Sequence, residues 1–461
     1  MTLRADPPVY PGWRGIVNRS APAGRNSPKI LVITNWAPPM IGGPKNLYNL
    51  LSLFPVDSYV LLTRASAIDP RSAATGSWLP GKYVYFDQEE GYTGQREESS
   101  AGERDRISIS RRMSALIQRI PSFGKAFLDA VYLLLHLPKI MRSARRTIRE
   151  DGITRLLGIS DEGLALLGTF LVHKISGIPY SVYLFDLYLG NNLALFNRAI
   201  ARILEPRLIR NAEVVIVTNE ATGEYLRRRY GNSFRLEIVH NSAFPEDFEG
   251  LRTPPFGEPP WKIVFTGNVY WAQEGAILNM IRAMDRIRDL PVELDLYCPQ
   301  ATAPARSAGI GRPNVRFTSA PQSEMPRVQS EATLLFLPLA WRTDAPDIIA
   351  TASPGKFTDY LASGRPMLVH APDYSYIARY SREHDIGIVA DQDDVGVLAG
   401  VVREFLQDPA CGSRYVENAL KVFKTHHDAR KNAIKLWGFL GGSVDGFSGE
   451  PGSRLRKTAE R

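Results

Sequence analysis

Cysteine is nearly absent from this 461-residue chain. Cys298 and Cys411 are the whole complement, too few for a disulfide framework, and no Cys or His spacing matches a zinc site. Long apolar runs are missing too: Gly163 to Val172 and Val131 to Leu137 stop well short of the ~20 residues that a membrane span needs. The opening residues, Met1-Thr2-Leu3-Arg4-Ala5-Asp6-Pro7-Pro8, lack the apolar core of a signal peptide. A cytoplasmic protein is expected, with peripheral attachment to the inner face of the cell membrane as the alternative. The formal net charge of +8 is not gathered into tracts, and no nucleic-acid recognition motif accompanies it, so no nucleic-acid partner is expected. There is no Gly-x-Ser-x-Gly elbow and no complete Gly-x-Gly-x-x-Gly, which removes the motifs of hydrolases and dinucleotide oxidoreductases. A Walker A motif is excluded, because its first glycine would fall on Ala350 and Phe357 follows the lysine. The adjacent pair His426-His427 cannot share one helical face as metal ligands and reads as structural.

What is present is enough apolar sequence, 44%, to fill two or three cores. Short apolar runs alternate with amphipathic segments, which predicts parallel sheets flanked by helices. Strands are expected at Lys29 to Thr34, Tyr59 to Thr63, Ile153 to Ile159, Tyr180 to Phe185, Val214 to Thr218 and Leu236 to Val239. After a proline-rich, acidic break, a second series follows at Lys262 to Thr266, Glu293 to Tyr297, Val315 to Phe317, Thr333 to Pro338, Met367 to Val369 and Gly387 to Val389. The expected organisation is a flexible tail over 1–27, a first Rossmann-like domain over 28–243, a linker over 244–260, a second such domain over 261–440, and a flexible tail over 441–461. The polar stretch from Gln88 to about Arg112 reads as a mobile loop.

Two predicted helix starts suit phosphate. In Ala352-Ser353-Pro354-Gly355-Lys356-Phe357-Thr358-Asp359-Tyr360-Leu361-Ala362-Ser363-Gly364, Ser353 is the expected N-cap, Pro354 the first helical residue and Gly364 the stop, with Phe357, Tyr360 and Leu361 buried. Lys356 is then a cation in a first turn that already carries positive partial charge, a penalty that an anion would reverse, and Gly355 leaves the backbone open to it. Asp359, one turn on, is placed to accept hydrogen bonds from ribose hydroxyls. The plain alternative is a surface pair between Lys356 and Asp359. Near the start, Gly42-Gly43-Pro44-Lys45 opens a helix whose buried stripe is Leu47, Leu50, Leu51 and Phe54; the Gly-Gly turn is either a second phosphate approach or a purely structural bend.

These residues resemble the family 4 glycosyltransferases and their GT-B relatives. Ala37-Pro38-Pro39 to Gly42-Gly43 is similar to that family's Pro-Pro-x-x-Gly-Gly loop, and Ser353 to Pro366 is similar to its Ser-Pro-x-Lys-x-x-Glu-Tyr-Leu-Ala-x-Gly-x-Pro motif. Val239-His240-Asn241-Ser242 and Ile263-Val264-Phe265-Thr266-Gly267-Asn268 are weaker echoes. The resemblance implies an α/β GT-B fold of two doubly wound Rossmann-like domains facing across a cleft. It also implies a nucleotide-sugar donor (UDP- or GDP-sugar) as co-substrate, no cofactor and no obligatory metal, and retention at the anomeric carbon. The acceptor would be a sugar, a lipid-linked molecule or another small molecule, in polysaccharide, glycolipid or glycoconjugate biosynthesis. Carried onto this sequence, Lys356 holds the donor diphosphate and Asp359 the ribose; Ser353, Gly355, Gly267 and Asn268 line the donor side; Gly42 and Gly43 approach the diphosphate from the other domain. Asp186 stands where such enzymes keep an acceptor-side polar group, or else it caps the turn that follows. The chain departs from the pattern at Thr351, where many members carry glutamate, and at Asn268, Gln273 and Glu274, where they place cations. Arg342 could supply a missing charge.

Three rivals accompany this reading: a nucleotide-sugar epimerase, a catalytically silent GT-B binding protein, and, for location, a membrane-docking helix. The segment Ile120 to Ile148 mixes Phe123, Phe127, Val131, Leu134, Leu135 and Ile140 with Lys139, Arg142, Arg145 and Arg146, which suits either an anionic membrane surface or a core helix with a basic outer face. Asp391-Gln392-Asp393 resembles a metal-binding Asp-x-Asp but precedes an amphipathic run, so it is expected to cap a helix.

Overall fold

Segments such as Ile30-Leu31-Val32-Ile33 and Tyr59-Val60-Leu61-Leu62-Thr63 are apolar on both faces, a pattern that is stable only in a parallel sheet covered on both sides. The computed structural model describes residues 27–38, 42–65, 78–88, 122–160, 163–191, 193, 195–251, 258–443 and 447. Their strands form two all-parallel sheets. The first contains β1 (Ile30–Ile33), β2 (Tyr59–Thr63), β3 (Lys82–Tyr85), β4 (Arg155–Ile159), β5 (Tyr180–Leu184), β6 (Val215–Val217) and β7 (Leu236–Ile238), in the order β3-β2-β1-β4-β5-β6-β7. The second contains β8 (Trp261–Thr266), β9 (Val292–Tyr297), β10 (Val315–Thr318), β11 (Leu334–Pro338), β12 (Met367–His370) and β13 (Ile388–Ala390), in the order β10-β9-β8-β11-β12-β13. Ile30 pairs with Tyr59 on one side and Arg155 on the other, and Ile263 with Leu294 and Leu334. Strand order therefore reverses between β1 and β4 and between β8 and β11, and such switch points are where α/β sheets bind ligands.

All twelve expected strands are present. The one that sequence reading missed among the described residues, β3, is a four-residue edge strand in which Tyr83 and Tyr85 are buried while Lys82 and Val84 are half-buried. Its pattern is too short and too polar to stand out. Lys82 pairs with Asp151 at 2.9 Å, tying this edge to the end of the helix Ser122–Asp151. Leu133, Ile140, Ala144 and Ile148 of that helix are buried in the first core, and Leu134 and Leu135 are exposed. The expected loop between Gln88 and Arg112 lies outside the described residues, apart from Gln88 itself.

The chain forms two compact units, one made of residues up to Val239 and again from Ala433, the other of His240–Asn432. The division thus falls at Val239, where sequence reading placed it at 243, and the last helix, Ala429–Phe439, starts in one unit and ends in the other. Trp437 explains why: fully buried, its ring lies 5.1 Å from Phe54 in the first unit's core. The tail expected from 441 begins with residues fixed to it. Gly442 lies so close that a Cβ would strike the indole, and the Trp437 Nε1–H donates to Ser443 O at 3.0 Å. The expected linker is also held at its start, where Ala243 pairs with Asp428 and Arg430 bonds Glu246 within the second unit. Among the described residues, no helix is long and apolar enough to cross a membrane.

Candidate functional site

β8 ends at Phe265-Thr266, and the chain turns at Gly267 with φ +109°, a conformation that favours glycine. Beside it begins the helix Gly355–Ala362, with Phe357, Tyr360 and Leu361 buried as the apolar spacing required. The Tyr360 hydroxyl anchors this helix to the strand: the Thr266 amide donates to it at 3.0 Å, and the Thr266 hydroxyl lies 3.3 Å away and accepts from Gln329 Nε2 at 3.1 Å.

One turn earlier, Lys356 reaches over the end of β8. Its Nζ is 3.8 Å from the Phe265 ring centroid and 3.1 Å from where a Cβ on Gly267 would stand. The side chain as a whole is half-buried, but Nζ itself is buried and has no hydrogen-bond partner among the described residues. Desolvation lowers its pKa to about 7, against a small opposing effect of Cys298. A buried ammonium without an acceptor is costly, and a ring face offsets only ~1–2 kcal/mol of that cost. The segments that meet here carry three more buried polar atoms without partners among the described residues: Asn268 Oδ1, Gln273 Oε1 and Ser353 Oγ.

Ser353 is not the N-cap. Pro354 holds that position, with Gly355 the first helical residue, and no side chain caps the helix. Asn241 is the reason: its Nδ2 donates to Ser353 O at 2.7 Å and its carbonyl accepts from Thr358 Oγ1 at 3.1 Å and His427 Nδ1 at 2.8 Å, which fixes the chain one residue out of register for capping. The first-turn amides are thereby left without a side-chain acceptor, as anion binding requires. Gly364, with φ +70°, follows the helix as expected. His427 is buried and structural, in a π-helical turn over Phe423–His427.

Asp359 lies half-buried one turn beyond Lys356. Thr351 is buried, its hydroxyl donating to Asp347 O at 2.8 Å within its own helical turn. The Arg342 side chain is 95% exposed, with its Nε 3.9 Å from Asp393 Oδ2. The expected cap at Asp391-Gln392-Asp393 is displaced by one residue: Asp394 caps the helix Val395–Gln407 through the amides of Gly396 and Val397, Asp391 pairs with Arg382, and Asp393 accepts from Asn279 at 2.8 Å.

In the first unit, Gly42 (φ +83°) precedes the helix Gly43–Leu51, whose Leu47, Leu50 and Leu51 are buried. Among the described residues nothing lies within 4 Å of a Cβ placed on Gly42, but on Gly43 it would meet the Phe185 ring at 2.9 Å. Gly43 is therefore explained by close packing, and only Gly42 leaves open backbone. The neighbouring strand ends converge through Ser160, whose Oγ accepts from the Phe185 amide at 2.8 Å and stands 3.5 Å from the Asp186 amide. The Asp186 side chain reaches solvent, yet the mass of protein around it raises its carboxyl pKa by desolvation.

Sequence reasoning could not find the parts played by Asn241, Tyr360 and Gln329. Tyr360 was legible only as a buried residue, and the hydroxyl's partner, Thr266, is distant in sequence.

No protein-family model matches the chain, and no curated protein sequence matches it. Solved structures do. The Anabaena protein HepE, in complex with UDP and glucose, has a TM-score of 0.63 at 12% identity, covering 90% of this chain and 100% of its own. Sucrose-phosphate synthase from Thermosynechococcus elongatus has a TM-score of 0.61 at 15% identity, covering 89% and 97%. A putative UDP-N-acetylglucosamine 2-epimerase from Listeria monocytogenes has a TM-score of 0.52 at 11% identity, covering 89% and 95%. At these identities the likeness is one of fold, and that fold, two parallel-stranded sheets each with a switch point, is GT-B.

Proposed function

We propose that this chain transfers a sugar from a UDP- or GDP-sugar, held by the second unit, to an acceptor held by the first, as a metal-independent retaining glycosyltransferase. The observation that carries the reading is the buried Lys356 ammonium, unpartnered among the described residues, at an uncapped helix start beside the Gly267 turn. A diphosphate there would supply the acceptor that Nζ lacks, and the ammonium and first-turn amides would stabilise the charge that develops as the bond from the anomeric carbon to the diphosphate breaks. The acceptor oxygen bonds to the anomeric carbon on the same face, and its proton passes to the departing diphosphate oxygen. Asp359 takes the ribose and Asp186 an acceptor hydroxyl. The HepE complexes with UDP and with UDP-glucose support the donor class by likeness of fold.

The test is calorimetric titration with UDP, GDP and their sugars, followed by a transfer assay on the wild type and on Lys356→Ala. Binding in the wild type and a transfer rate about 10²–10³-fold lower in the variant are expected, with activity surviving EDTA. If no nucleotide binds, the reading is wrong. The Listeria likeness keeps an epimerase as the second reading, and an altered sugar nucleotide formed without any acceptor would favour it.

The acceptor side also suits an anionic membrane surface. Leu134 and Leu135 are 73% and 58% exposed, and Lys139, Arg142 and Arg146 continue the same outer stripe. The helix Leu195–Asn211, packed against that helix, exposes Leu195, Ile203, Arg202, Arg207 and Arg210. Vesicles containing phosphatidylserine should retain the protein at low salt and release the double variant Leu134→Glu, Leu135→Glu; equal retention of both would remove the membrane from the scheme.

A further inference from the structure

We propose that Arg64, set against Trp36 and bonded to Tyr132 at the carboxyl ends of β1 and β2, is an anion-binding residue that selects a phosphate-bearing acceptor. The proposal rests on the transfer reading for the word acceptor, but the site stands on its own geometry. Arg64 follows β2 directly, at the sheet edge where α/β proteins bind ligands. Its guanidinium carbon lies 4.9 Å from the Trp36 ring centroid and 5.6 Å from that of Tyr132. Nη1 donates to the Tyr132 hydroxyl at 2.8 Å, and that hydroxyl donates to Asn35 Oδ1 at 3.1 Å.

The frame around the cation is rigid. The Thr34 hydroxyl donates to Trp36 O at 2.6 Å, which shapes the turn after β1, and the Ala65 amide donates to Asp87 Oδ1 at 2.7 Å, which fixes the backbone beside Arg64. The His136 ring lies 4.2 Å from that of Tyr132 and holds it from behind, with His136 Nδ1 2.9 Å from Tyr132 O.

Among the described residues, Arg64 Nε is buried without a hydrogen-bond partner and Arg64 forms no ion pair. Several other arginines are paired with acids: Arg316 with Asp295 at 2.7 Å, Arg312 with Asp285 at 2.7 Å, Arg403 with Asp289 at 2.6 Å. Nη1 is taken up by the Tyr132 hydroxyl and Nε is buried, so among the described residues Nη2 is the edge of the cation left for a charge-assisted bond to a phosphate oxygen. Trp36, half-buried, offers a flat apolar face beside it for a sugar ring or other apolar moiety.

The experiment titrates the full-length wild type, Arg64→Met and Arg64→Lys with inorganic phosphate and with glucose 6-phosphate, using glucose as the neutral control and UDP as the donor-side control. Methionine keeps an unbranched side chain against Trp36 without charge, and the circular dichroism and melting temperature of each variant check that it folds. The wild type should bind a phosphate-bearing probe at least about tenfold more tightly than Arg64→Met, with Arg64→Lys recovering part of the loss because a lysine keeps the charge but not the planar guanidinium that Tyr132 orients. Glucose should not distinguish the variants, and UDP affinity should stay unchanged. Retention by phosphatidic acid vesicles that disappears in Arg64→Met assigns the phosphate to a lipid, whereas Arg64-dependent binding of glucose 6-phosphate without retention assigns it to a soluble acceptor. The proposal is overturned if neither phosphate probe binds, or if both bind Arg64→Met as well as the wild type. Failure of UDP alone to bind would strike the transfer reading and leave the Arg64 site standing.

Discussion

Protonation of Lys356 should be visible in the thermodynamics of donor binding. In the free protein its pKa is lowered from 10.5 to about 7 by desolvation, so the charged form carries a penalty of up to about 5 kcal/mol. The sign follows from comparing folded and unfolded chains. Below pH 7 the amine is charged in both and the penalty is fully present. As pH rises from 7 toward 10.5, the folded chain releases its proton first, so ligand-free stability rises through that window. A bound diphosphate reverses the preference, returning the pKa toward its ordinary value, so binding above pH 7 must take up a proton and weaken by up to about tenfold per pH unit. Calorimetry with UDP in two buffers of different ionisation enthalpy reads this directly: uptake should be near zero at about pH 6 and approach one proton at about pH 8.5. Lys356→Met supplies the baseline for the ligand's own titration. It should show no additional uptake, bind UDP weakly, and exceed the wild type in thermal stability near pH 6, because it removes a buried charge. Proton uptake that persists in Lys356→Met, or UDP binding by the wild type with no uptake beyond that baseline, would refute the assignment of Lys356 to the diphosphate.

Three further outcomes follow from the same structure. Gly267→Ala should weaken UDP binding about tenfold or more with intact folding, because a Cβ at φ +109° is strained and would stand 3.1 Å from Lys356 Nζ; unchanged affinity would show that this turn does not shape the site. Glu205 is fully buried, bonded to the Tyr230 hydroxyl and the Leu189 amide, and burial pushes its pKa from 4.5 up to about 7. The folded state therefore loses up to about 3 kcal/mol relative to the unfolded chain as pH rises from 4.5 to 7. Glu205→Gln should raise the melting temperature at pH 8 and leave it nearly unchanged at pH 4.5, and a variant equally affected at both values would contradict a raised pKa. Trp437→Ala should cost about 3–5 kcal/mol in denaturant unfolding, the price of a cavity beside Phe54; a loss below about 1 kcal/mol would mean that the C-terminal segment is not part of the first unit's core.

The alternation of apolar runs and amphipathic stretches determined the fold class and twelve of the strands, because a parallel strand buried on both faces has to be apolar throughout, and that is a local property of sequence. The helix Gly355–Ala362 was equally legible, since Phe357, Tyr360 and Leu361 repeat at helical spacing and Gly364 ends them. Which groups are left wanting a partner was not legible, because a hydrogen bond is an agreement between residues far apart in the chain. Ser353 has the composition of a cap, but Asn241 takes its carbonyl; Asp393 stands beside a helix, but Asp394 caps it. Gly43 looks like open backbone until the Phe185 ring fills the space. Arg64 has no neighbours in sequence that mark it; only tertiary structure brings it to Trp36 and Tyr132, and only tertiary structure withdraws the Lys356 ammonium from water. Sequence determines what each segment can become through its own periodicity, whereas burial and unmet hydrogen-bonding demand belong to distant segments brought together.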